Sequence, residues 1–78
     1  MAEQEQLDAS AVRQKEIKEG INPYIVEIRN LTDSLSLLME KEPFLEADLD
    51  SAFDLNDAIQ EQTQEINALL FDMRETIQ

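Results

Sequence analysis

Carboxylates are the side chains with which this sequence could do chemistry. Between Lys41 and Arg74 lie 32 residues with nine acids and no basic residue. Placed on a helix at 100° per residue, Asp50, Asp54, Asp57, Glu61, Glu65 and Asp72 share one face, and Glu75 joins them. The seven fall within an arc of roughly 80°. Ala52, Leu55, Ile59, Ile66, Leu70, Met73 and Ile77 gather on the opposite side. One helix thus carries an acidic rail and an apolar rail back to back. Like charges at i,i+4 oppose a helix by about 0.2–0.5 kcal/mol per pair, so Asp50/Asp54, Asp57/Glu61 and Glu61/Glu65 work against the element they sit on.

Clustered carboxylates have three chemical uses: proton transfer, cation binding and docking on a basic surface. Proton transfer by a carboxylate pair, as in glycoside hydrolysis, needs a cleft between rigid walls, and a chain of 78 residues offers little to build one. With no Cys and no His, Ser10, Ser34, Ser36 and Ser51 lack a histidine base, and no nucleotide-binding or zinc-protease motif occurs. The chain is read as non-enzymatic, with no catalytic residues and no cofactor. For calcium, a loop starting at Asp48 places Phe53 where the turn glycine belongs and Ile59 where the bidentate glutamate belongs. A start at Glu46 puts Ser51 at the glycine position. No dedicated metal site is expected, and Asp48, Asp50 or Ser51 reads instead as a helix N-cap.

Docking remains. The net charge of −12 disfavours nucleic acid and anionic membranes and suits a basic protein surface. The six basic residues form no stripe, so direct nucleic-acid binding is excluded as an expectation. The rail could instead imitate nucleic acid. Seven acids over about 37 Å give about one charge per 5 Å, against one per about 1.7 Å of duplex. Mimicry at that density calls for two rails side by side. The same acids also keep a small helical protein soluble without any further role.

The elements that position these groups are helices. One Gly, two Pro, few aromatics and abundant Gln, Glu, Leu and Ile predict an all-α protein. Ile17, Ile21, Tyr24, Ile28, Leu31, Leu35 and Leu38 repeat at 4-3 spacing, the heptad seam of a coiled coil. A first helix is predicted from about Ala9 to Glu40, kinked or broken near Gly20–Pro23, the alternative being a separate helix over about 8–19. Glu42-Pro43-Phe44 supplies the turn, with Lys41 near a helix C-terminus whose dipole favours a cation. A second helix is predicted from between Phe44 and Ser51 to about Thr76. The expected architecture is an antiparallel two-helix hairpin over residues 9–78, preceded by a disordered acidic N-terminus at 1–8.

Two helices sharing one seam bury little. Ordering about 70 residues costs of order 100 kcal/mol, which at about 25 cal/mol per Å2 requires some 4,000 Å2 of buried apolar surface. Completion to a bundle by self-association, a homodimer for example, or by another protein is therefore expected. Off-seam apolar residues mark the partner-facing surface: Val26, Leu37, Phe53, Leu69 and Phe71. The acidic rail, Asp50 to Glu75, is the second candidate surface. The function expected is a protein–protein interaction module, that is, a small adaptor, chaperone-like or assembly subunit. A nucleic-acid mimic of the anti-defence type and a protomer of a filament or virion are the alternatives. An acidic, polar N-terminus and short apolar runs point to the cytoplasm, of its own cell or a host's, and away from membranes.

Overall fold

The computed structural model describes the backbone of residues 2–77 and the side chains of residues 9–77. The chain is an all-α hairpin. Helix α1 spans Ala2–Met39 and helix α2 spans Glu46–Ile77, 38 and 32 residues long, and the two pack antiparallel along their length. The molecule measures 66 × 15 × 11 Å along its principal axes. The N-terminal stretch expected to be disordered, residues 1–8, lies outside the residues whose side chains are described.

Helix α1 runs through Gly20 and Pro23 without a break, so neither the break nor the separate N-terminal helix occurs. Pro23 removes the N–H that would have bonded the Glu19 carbonyl, a loss of about 3 kcal/mol in an unsupported helix. Seam residues on both sides of it hold the two halves in phase. Ile17 and Ile21 precede the proline, Tyr24 and Ile28 follow it, and all four are buried or half-buried.

The connection is tight. Glu40 and Lys41 donate their N–H groups to the carbonyls of Leu37 and Leu38, both at 3.2 Å, winding the last turn of α1 closed. Four exposed residues follow, through the cis Glu42–Pro43 peptide to Leu45. Helix α2 then opens earlier than Ser51. Leu45 is its N-cap, its carbonyl accepting from the N–H groups of Asp48 and Leu49 at 3.0 Å each.

Leucine has no side-chain oxygen with which to cap. Asp48, three residues on, does the capping: its Oδ2 accepts from the Leu45 N–H at 2.9 Å. This is the returning half of a capping box. Its other oxygen, Oδ1, accepts from Lys41 Nζ at 2.7 Å. Lys41 therefore bridges the two helices rather than resting on the end of its own. The carboxyl of Asp48 is held below its ordinary pKa, first by the Lys41 hydrogen bond and then by the Leu45 N–H, with burial pulling the other way.

Candidate functional site

The half-buried residues define the seam. On α1 they are the ones the spacing predicts, from Ile17 to Leu38, extended outward by Gln14 and Ser10 and joined by Gly20 beside the seam. On α2 they are Ala52, Leu55, Ile59, Gln62, Ile66, Leu69, Met73 and Thr76, a 3-4 repeat of the same period, with Ala58 half-buried beside it. Ile17 is the one buried apolar residue among those described, at 3% exposure.

This seam departs from the sequence reading at its far end. Leu70 and Ile77, predicted inside, are exposed. Leu69, predicted to face a partner, is half-buried, with its Cδ1 3.9 Å from where a Cβ on Gly20 would stand. The reason is geometric. A straight helix drifts about 20° per heptad against a 3.5-residue repeat, and over three heptads the stripe passes from Leu70 and Ile77 to Leu69 and Thr76.

Counting outward from the Gly20–Leu69 contact places Ile17 opposite Met73, Ile28 opposite Gln62 and Leu38 opposite Ala52. An approximate two-fold axis normal to the plane of the hairpin relates two antiparallel helices. Positions that lie just C-terminal to the seam residues on each helix therefore share one broad face of the molecule.

From Lys15 to Met39 on α1 and from Leu49 to Ile77 on α2, the described residues on that face include no acid. From α1 it carries Lys15, Lys18, Ile25, Arg29 and Met39, with Asn22, Thr32 and Ser36 between them. From α2 it carries Leu49, Phe53, Leu70, Arg74 and Ile77, with Asn56, Gln60, Thr63 and Asn67 between them. Every one of these side chains is exposed. The large apolar ones include Phe53 at 60% and Ile77 at 73%. Near the open end, Arg74 lies over the Phe71 ring, 5.5 Å from its centroid. The two line a shallow depression with Asn67 and Leu70. Its volume is about 170 Å3, below the roughly 300 Å3 at which small-molecule clefts begin.

The acids occupy the remaining surface. Asp50, Asp54, Asp57, Glu61, Glu65, Asp72 and Glu75 are all exposed. The ion pairs among the described residues, Arg13–Glu16 at 3.8 Å and Lys41–Asp48 at 2.7 Å, leave the rail untouched. No three acids among the described residues come together as a cation cage. Of the apolar candidates besides Leu69, Val26 and Leu37 are exposed on the far side of α1, Phe53 lies on the acid-free face and Phe71 at its outer edge. Sequence reasoning missed this face, although marking the residues next to each heptad position on both helices would have found it.

The described residues contain no helix long and apolar enough to cross a membrane. No protein-family model matches the chain, and no curated protein or solved structure is significantly similar to it.

Proposed function

We propose that this chain is a non-enzymatic protein–protein interaction module, an adaptor, chaperone-like or assembly subunit that works through the apolar faces of its helices. The observation that carries the reading is surface left uncovered. The accessible surface is 6322 Å2, whereas a compact protein of 9.0 kDa exposes about 4,900 Å2. Along the hairpin Phe53, Phe71, Leu37 and Val26 stand in water. Large apolar side chains left exposed on both helices suit contact with another macromolecule.

The test is a pair of truncations. Phe53→Ala with Phe71→Ala weakens association about tenfold or more and leaves helicity by circular dichroism near that of the parent. Association read by pull-down and by sedimentation that is unchanged in the double variant sinks the reading.

A second reading draws on the segregation of charge. Acids gathered along α2 from Asp50 to Glu75 suit a rail offered to a basic groove, as in a nucleic-acid mimic. Changing Asp54, Asp57, Glu61 and Glu65 together to Asn or Gln abolishes binding under that reading. Partner affinity at low salt that survives the change removes it.

A further inference from the structure

We propose that the acid-free face is the seat of a second copy of this chain, stacked end-for-end to form a four-helix bundle. The proposal rests on the reading of the apolar faces as contact surfaces and specifies which face, which occupant and which orientation.

The charge distribution selects the face. Two chains of −12 approach each other at low cost only where acids are absent and where stacking turns the remaining acids outward. One broad side of the hairpin meets that condition from Lys15 to Met39 on α1 and from Leu49 to Ile77 on α2. Its positions flank the seam directly, which is where helices of a four-helix bundle touch their second neighbours.

The arrangement of groups along the face selects the orientation. Met39, Leu49 and Phe53 stand at the turn end. Lys15, Lys18 and Arg74 stand at the open end, beside Leu70 and Ile77. A stack with both turns at the same end gathers six cations together. The inverted stack sets the cation groups at opposite ends of a 66 Å molecule, many times the Debye length of about 8 Å. It also lays each cation group over the turn end of the other copy, where Phe53 offers a ring face and Asp50 borders the face. Arg29, nearer the middle, sits at the outer edge of α1. The centre is uncharged on α2, with Asn56, Gln60, Thr63 and Asn67 able to bond across the symmetry axis.

Area permits it. A standard interface takes about 800 Å2 from each partner, and the hairpin's surface exceeds the compact expectation by about 1,400 Å2.

Sedimentation equilibrium at 10–100 µM (concentrations chosen on the order usual for dimers of this interface size) is expected to return twice the chain mass of 9.0 kDa. Phe53→Glu with Leu70→Glu places acids in the face and is expected to raise the dimer Kd at least a hundredfold. Asn30→Glu with Gln64→Glu, exposed positions off this face, is expected to leave it within threefold. Because an unfolded variant would also sediment as a monomer, orientation is read separately on a parent dimer. The chain has no cysteine, so Glu42→Cys carries a single spin label at the turn. Inverted stacking separates the two labels by most of the 66 Å length; same-way stacking brings them within about two helix diameters, roughly 25 Å.

A monomeric mass at 100 µM overturns the proposal, and so does the short label distance. A monomer that still captures another protein through Phe53 and Phe71 overturns the homodimer while leaving the interaction reading intact. A dimer whose Phe53→Ala, Phe71→Ala variant retains full affinity overturns both, because Phe53 lies in the proposed face.

Discussion

Gly20 is the most economical place to ask whether α1 is continuous. The residue sits mid-helix, half-buried beside the seam, with no positive φ to require glycine. A Cβ added there meets Leu69 Cδ1 at 3.9 Å, an ordinary van der Waals distance. Gly20→Ala therefore gains the helix-propensity difference of about 0.8–1.0 kcal/mol. Partial burial of one methyl adds a few tenths more, given about 0.8 kcal/mol for a fully buried CH2. The sum is about 1–1.3 kcal/mol, and at about 4–8 °C per kcal/mol for a domain of this size the melting temperature rises about 5–10 °C. The assay is thermal unfolding by circular dichroism at 222 nm, at matched chain concentration because assembly also shifts Tm. An unchanged or lowered Tm refutes the reasoning: Gly20 would then be serving as a bend, and the seam would not cross it in phase.

Three further outcomes are expected. Ile17→Ala destabilises by about 2–4 kcal/mol, whereas Leu37→Ala, at 68% exposure, stays within about 0.5 kcal/mol unless Leu37 is itself in an interface; urea titration separates the two. Asp48 has a lowered folded pKa, so its contribution is fully present above its unfolded value of about 3.9 and is lost as pH falls through the folded value. The Tm gap between parent and Asp48→Asn accordingly narrows as pH drops below about 4, and a gap constant from pH 7 to pH 2 contradicts the Lys41–Asp48–Leu45 bonding. Neutralising Asp54, Asp57, Glu61 and Glu65 together relieves the i,i+4 repulsions and raises stability by about 1 kcal/mol at low salt, shrinking in 0.5 M salt; a loss of stability would mean the rail is paired in solution.

The first helix was legible because its seam is apolar without interruption, so 4-3 spacing from Ile17 to Leu38 sufficed even across Pro23. The second was legible as a helix but not in its phase. Gln62 and Thr76 occupy seam positions while Leu70 and Ile77 stand beside them, so hydrophobicity alone points one residue too far toward the C-terminus. Only the 3.5-residue period, imposed by the partner helix, settles which neighbour turns inward. The start of α2 at Glu46 falls in the expected interval, but its N-cap was hidden for a related reason: the capping oxygen comes from Asp48 in the third position, reaching back to a leucine that cannot cap itself. The acid-free face was written in the sequence but spread over two helices, and it becomes one surface only when the antiparallel register is known.

That register also fixes the order in which the hairpin can close. Facing residues near the turn, Leu38 and Ala52, are separated by few residues of chain, whereas Ile17 and Met73 close a loop four times as long. Loop entropy grows with that separation, if slowly, and the Lys41–Asp48 bridge already holds the turn together. Closure propagates from the turn outward, like a zipper whose slider starts at Leu45, and opening begins at the other end. Hydrogen-exchange protection in the isolated chain therefore declines from the turn toward Gln14 and Thr76, where both facing side chains are polar. The open end is the part that most needs a neighbour laid across it.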